Sequence, residues 1–160
     1  MARWEEVEAD APEFAAAVRR LFDAFKHKTL ATLRRDGSPR ISGTEAQFRD
    51  GDIWLGSMWM ARKAVDLRRD PRFALHSASE DPSDDNPSSW PGDAKLSGRV
   101  EEVTDPEQLA KAMGGEAPSE QSHLFRLDIE EVVWTRVGTP ADHLVIELWR
   151  AGEGLRRFQR

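Results

Sequence analysis

Residues 29–57, TLATLRRDGSPRISGTEAQFRDGDIWLGS, decide the fold. Residues 29–33 form a short apolar and β-branched run. Arg34-Arg35-Asp36-Gly37-Ser38 follows, with the Asp-Gly pair that favours a tight hairpin. Residues 39–48 read as the return strand, Arg49-Asp50-Gly51-Asp52 as a second turn, and residues 53–57 as a third strand. Three strands joined by short turns make an antiparallel meander, because parallel neighbours would need a crossover of a dozen or more residues.

The flanks extend this pattern. Upstream, Asp10 and Glu13 have capping-box spacing and Pro12 suits a first helical turn, so a helix is expected over 12–26. Phe14, Val18, Leu21, Phe22 and Phe25 give it one apolar face for the core. Downstream, residues 60–69 read as a short helix stopped by Asp70-Pro71. Strands are expected over 73–78, 93–104, 123–135 and 143–150, with a helix over 106–113 and a polar connection over 114–120. Residues 79–90, SEDPSDDNPSSW, are a loop. The sum is a mainly β chain. It is a six- to seven-stranded antiparallel sheet with a few short helices, its edges best protected by closing into a barrel. No linker or repeat divides residues 1–160, so one domain is expected.

Composition removes several functional classes. Cys is absent, which excludes disulfides, thiolate nucleophiles and Cys-ligated metals, and with Tyr absent no phenol can act as an acid. A net charge of −6 argues against a nucleic-acid partner. No apolar run approaches the roughly 20 residues that span a bilayer. The acidic start, Met1 to Glu6, lacks the apolar segment of a secretory signal, so no membrane association and a cytoplasmic location are expected. His27, His76, His123 and His143 show no metal-ligand spacing and read as surface or satisfied core histidines; no metal site is expected. Residues 81–92 lack the glycine and glutamate of a calcium loop. No nucleophile elbow, P-loop or dinucleotide fingerprint is present. Any redox chemistry must therefore reside in a bound cofactor.

The segment with most chemical content is Gly56-Ser57-Met58-Trp59-Met60-Ala61-Arg62-Lys63-Ala64. A strand ends in small residues, and two cations open a helix whose N-terminus is already partly positive. Without an anion both side chains would sit in water. An anion, phosphate above all, would be held there by backbone N–H groups, a forked guanidinium and a lysine point charge. Arg40, Ser42 and Thr44 alternate along the second strand, so they share one face and form a second polar candidate group. A solvated basic turn and a polar exposed sheet face are the structural alternatives to these two readings.

From residue 28 to 103, and again near Trp149, the chain resembles the pyridoxamine 5′-phosphate oxidase-like proteins, the flavin and deazaflavin split-barrel oxidoreductases. Ala61-Arg62-Lys63-Ala64-Val65-Asp66-Leu67-Arg68-Arg69-Asp70-Pro71-Arg72 carries the likeness. It is similar to the family's Ser-Arg-Lys-Ala stretch and the Asn-Leu-x-x-Asp-Pro-Arg beyond it. The resemblance implies that Arg62 and Lys63 bind the cofactor phosphate, that Ser57 and Met58 contact its ring or ribityl chain, and that Arg40, Ser42 and Thr44 flank it. Gly98-Arg99-Val100-Glu101 looks like a family strand at a dimer interface, which implies a homodimer with the cofactor between subunits and Asp93 and Lys95 near the partner's ring. Trp149 falls in a C-terminal stretch similar to the oxidases in outline, and the resemblance places it among the cofactor-binding residues.

Two departures are specific. Glu45 stands where the true oxidases carry a lysine, and their C-terminal Arg-Leu-His triplet is missing. Vitamin B6 oxidation is therefore not expected. The resemblance implies an FMN-dependent oxidoreductase passing hydride to or from a small organic substrate. The alternatives are a reductase using the deazaflavin coenzyme F-420, and a flavin-binding or stress protein without turnover. No catalytic acid or base is identifiable, and hydride transfer itself requires none.

Overall fold

The computed structural model describes residues 1–112 and 122–160. The expected connection over 114–120, and the last residue of the helix expected over 106–113, lie outside the described residues.

The hairpin at Asp36-Gly37 forms as the sequence suggests. β1 (Lys28–Leu33) pairs antiparallel with β2 (Pro39–Thr44), Leu33 opposite Pro39, and Gly37 turns the chain at φ +84, a conformation that side chains disfavour. The return strand, expected unbroken over 39–48, is interrupted at Glu45. β3 (Ala46–Arg49) begins directly after it and pairs with β4 (Asp52–Met58), not with β1. With β5 (Arg72–His76), β6 (Asp93–Glu102) and β7 (Ser122–Val137), the sheet runs in the order β2-β1-β5-β6-β7-β4-β3, each pairing antiparallel. Its two ends, β2 and β3, are consecutive in the chain. The sheet must curl until those ends meet at Glu45, which closes the barrel through the chain itself.

β7 supplies the split. Its beginning, Ser122 to Arg126, pairs with β4, and its end, Glu131 to Val137, pairs with β8 (Leu144–Arg150). β8 in turn carries β9 (Gly154–Gln159). Nine strands thus stand among the described residues where six or seven were expected. The break at Glu45 and the unforeseen β9 account for the difference.

Helices cover the barrel. α1 (Trp4–Asp10) was not foreseen; α2 (Pro12–Asp23) was, with two corrections. Its N-cap is Ala11, and the Asp10–Glu13 capping box does not form. Asp10 instead accepts the indole N–H of Trp149 at 2.7 Å. The helix also stops at Asp23, short of residue 26, and Phe25 is left exposed. Beyond it the buried ammonium of Lys28 collects the carbonyls of Phe25 and Lys26, at 2.5 and 3.0 Å, and so closes the turn into β1. Phe14, Val18, Leu21 and Phe22 fill the core with Trp4 and Val7. Trp4 meets Phe48 edge-on at 4.9 Å. α3 (Arg62–Arg69) and α4 (Pro106–Ala112) follow β4 and β6. Among the described residues no helix is long and apolar enough to cross a membrane.

Gly98 marks the tightest strand contact. The β6–β7 register shifts between Ser97 and Gly98, with Ser97 opposite Glu131 and Gly98 opposite Ile129. Glu130 is therefore the extra residue of a bulge. A Cβ at Gly98 would overlap the Asp128 carbonyl oxygen, whereas a Cβ at Gly43 meets nothing within 4 Å. Gly98→Ala should cost about 2 kcal/mol or more, and Gly43→Ala should stay within about 0.5 kcal/mol. Urea unfolding of both variants checks this; equal losses would show that the bulge tolerates a side chain.

Candidate functional site

One carboxylate fastens α3 to the sheet. Asp66 is 3% exposed, and its oxygens take three donors: Thr32 Oγ1 of β1 at 3.0 Å, Arg40 Nε of β2 at 2.6 Å and Arg69 Nη2 at 3.2 Å. Burial alone would raise its pKa. The hydrogen bonds from Arg40, Thr32 and Arg69 outweigh that, and the carboxyl lies below the usual carboxylate range. Arg40, expected beside a cofactor, thus spends its Nε on the fold.

Fixed in this way, α3 presents an open first turn. Its N-cap is Ala61, no side chain caps it, and its first turn holds no acidic residue. Arg62 is exposed, and among the described residues it has no hydrogen-bond or ion-pair partner. Lys63 departs from the expectation that both cations stand in water: it is half-buried, and its Nζ donates to the Gly43 carbonyl of β2 at 2.7 Å. Burial lowers its pKa, with Glu45 pulling weakly the other way. Two cations therefore sit at the positive end of a helix, and among the described residues no carboxylate is hydrogen-bonded or ion-paired to either.

The loop leading into α3 is held from below. Met60 has φ +54, rare for a residue with a long side chain. Its N–H donates to Nε2 of His123 at 3.2 Å, and Nδ1 of His123 lies 2.7 Å from Glu102 Oε1. The other Glu102 oxygen receives Arg68 Nε at 2.9 Å. Trp59 stacks flat on the His123 ring, with centroids 4.7 Å apart and planes 8° apart. Met58 is 80% exposed and Ile41 75%.

The remaining expected residues are distributed unevenly. Ser42 and Thr44 share the inward side of β2 with Arg40, while Ile41 and Gly43 are exposed. The face was read correctly, but it turns toward the protein rather than toward solvent. Ser57 also sits on the inward side of β4, with Ile53 and Leu55. Asp93 and Lys95 lie on β6. The rung Gly43–Thr29–His76–Lys95 puts Lys95 three strands from Gly43, about 14 Å at ordinary strand spacing. Trp149 is a core residue, 3% exposed, with its single donor committed to Asp10; it has no face left for a ligand. Among the described residues no three His, Asp or Glu side chains gather as a metal site. Asp66, Trp59 and Glu102 were missed by sequence reasoning, while His123 is the satisfied core histidine expected, its hold on the Met60 loop unforeseen. Asp66 alone had a local signal, as a carboxylate on the apolar side of α3.

A family model described as pyridoxamine 5′-phosphate oxidase matches residues 14–135. Among similar solved structures, a conserved hypothetical protein from Mycobacterium tuberculosis is 23% identical, with a TM-score of 0.57, over 73% of this chain and 81% of that one. A Clostridium acetobutylicum protein related to general stress protein 26, of the pyridoxinephosphate oxidase family, is 15% identical with a TM-score of 0.58, over 92% and 94%. A heme binding protein from Mycobacterium smegmatis is 16% identical with a TM-score of 0.56, over 89% and 86%. At these identities the likeness establishes the fold. No curated protein matches the chain.

Asp66→Asn should lower stability by about 2 kcal/mol near neutrality, since it leaves buried donors poorly paired. The native pKa is depressed, so the stabilisation is present above the unfolded carboxylate value, about 4, and is lost as pH falls through the native value. Urea curves from pH 7 to 2 should show wild type and variant converging in acid. A constant difference across that range would contradict the assignment.

Proposed function

We propose, from the premise that this chain belongs to the pyridoxamine 5′-phosphate oxidase family, that it is a flavin-dependent oxidoreductase binding FMN by its phosphate at the start of α3. The observation that carries this reading is the first turn of α3. Among the described residues Arg62 has no hydrogen-bond or ion-pair partner, Lys63 rests on a backbone carbonyl, and no side chain caps the helix. A phosphate dianion fits this donor set, because it relieves the repulsion between the cations and the helix terminus and accepts from both side chains.

A bound flavin would supply hydride transfer at its N5. The protein's part is positional. Arg62 and Lys63 hold the phosphate, and the Lys63–Gly43 bond keeps the helix start against β2. Met58 and Ser57, at the end of β4, are the expected contacts for the ring or ribityl chain. The substrate is a small organic molecule other than pyridoxamine phosphate. Glu45 supports this reading: it is a carboxylate paired with Lys26 at 3.3 Å, where the vitamin oxidases carry a lysine. The exposed Ile41, Met58, Trp59 and Met60 favour a homodimer with the cofactor between subunits. Coenzyme F-420 on the same phosphate site is the second cofactor to test.

A charge-assisted contact contributes on the order of 1.5–3 kcal/mol, so Lys63→Ala should weaken binding roughly tenfold to a hundredfold. Arg62→Ala should cost at least as much, because its fork can make two bonds. Apo stability should be unchanged in the Arg62 variant and slightly lower in the Lys63 variant, which loses the Gly43 bond. The measurement is titration of FMN, and separately of F-420, into wild type and both variants, with apo thermal melts. Sedimentation of the same samples should give the mass of two chains. Unchanged affinity in both variants would place the phosphate elsewhere.

A further inference from the structure

His123 comes from β7, 61 residues beyond Arg62 at the helix start that the proposed cofactor phosphate needs, yet it is bonded to the loop that opens that helix. It is 3% exposed, and among the described residues each ring nitrogen has one partner: Met60 N–H at Nε2 and Glu102 at Nδ1. The Met60 amide can only donate, so Nε2 accepts and Nδ1 carries the proton donated to Glu102. Glu102 is steadied in turn by Arg68 of α3, six residues beyond Arg62. One His–Glu–Arg chain therefore joins β7, β6 and α3 to the amide of Met60, the positive-φ residue two positions before Arg62.

We propose that His123 is a positioning residue for the cofactor site: its Nε2 holds the Met60 amide and so sets the approach of Arg62 and Lys63. The proposal rests on the reading of α3 as the phosphate site. Around the ring stand Glu102 from β6, Arg68 from α3 acting through Glu102, the Trp59 ring from the loop and the Phe125 ring, 5.9 Å away on β7. Among the described residues Glu102 is the one charged group in contact with His123, and its bond to Nδ1 fixes the ring orientation that turns Nε2 to the loop. Without the Nε2 acceptor the grip of β7 on the positive-φ Met60 is lost.

The test compares wild type with His123→Gln and His123→Phe. Glutamine can offer an oxygen near the Nε2 position; phenylalanine fills the space without an acceptor. Hydrogen exchange of residues 58–61 in the ligand-free proteins, corrected for intrinsic rates, is measured at pH 8, with FMN titrations in parallel. His123→Phe should exchange about tenfold faster than wild type and bind FMN about tenfold more weakly, with apo melts confirming that it folds. His123→Gln should stay within about threefold of wild type in both. Wild-type exchange in His123→Phe, or exchange in His123→Gln as fast as in His123→Phe, would overturn the positioning role whatever the FMN data show. The expected exchange pattern with no FMN binding by any variant would support the grip on the loop and refute the flavin reading.

Discussion

The Asp66 carboxylate is the constraint on which the arrangement depends. It lies beneath α3 and takes donors from β1, β2 and α3 itself. A buried carboxylate is tolerable only if its lone pairs are filled. Filling them requires Thr32, Arg40 and Arg69 to converge on one point, which sets the angle and the register of α3 on the barrel. The opposite end of the helix, with Arg62 and Lys63, is then delivered beside Gly43 with no carboxylate hydrogen-bonded or ion-paired to it among the described residues. The fold thus neutralises charge at the middle of α3 and leaves it exposed at the start. The same helix contributes Arg68 to Glu102 and, through it, to His123 and the loop. Three elements remote in sequence are in this way committed to one short stretch of backbone.

Much of the barrel was legible because its signals are local. Asp36-Gly37 and Asp50-Gly51 are turn pairs whose backbone demands few other residues satisfy, and both turns form. The stop of α3 at Asp70-Pro71 is equally local. The break at Glu45 left no trace, for a physical reason. Thr44 and Ala46 are both buried, so the alternation of sides runs through Glu45 undisturbed while the hydrogen-bonding partner changes from β1 to β4. Patterning reports which way side chains face; it does not report which strand lies alongside. α1 escaped notice because seven residues nucleate poorly alone. Tertiary contacts make it: Trp4 and Val7 buried in the core, the Glu5 N–H on the Gly51 carbonyl, and Ala2 bridged to Ile129.

The candidate site was legible only where charge opposed local expectation. Two cations at a helix start are unfavourable unless something answers them, and that conflict singled out Arg62 and Lys63. Arg40 and Trp149 drew notice by residue type alone. Their partners, Asp66 and Asp10, lie 26 and 139 residues away, and each pair makes a contact within the fold. His123 shows the converse. Nothing near it in sequence marks it, because its role exists only once β7 is laid beside β4 and His123 comes opposite Ser57.

The central claim is that the start of α3 recognises a phosphate borne by a redox cofactor. Its most direct measurement compares FMN with riboflavin, the same ring lacking the phosphate, in wild type and in the Arg62→Ala/Lys63→Ala double variant. The same comparison applies to coenzyme F-420 and its phosphate-free deazaflavin if that is the cofactor bound. The account predicts that the phosphorylated form binds wild type at least tenfold more tightly and that this advantage disappears in the double variant. Equal affinity of the two forms for wild type, or an advantage that survives removal of both cations, would contradict it.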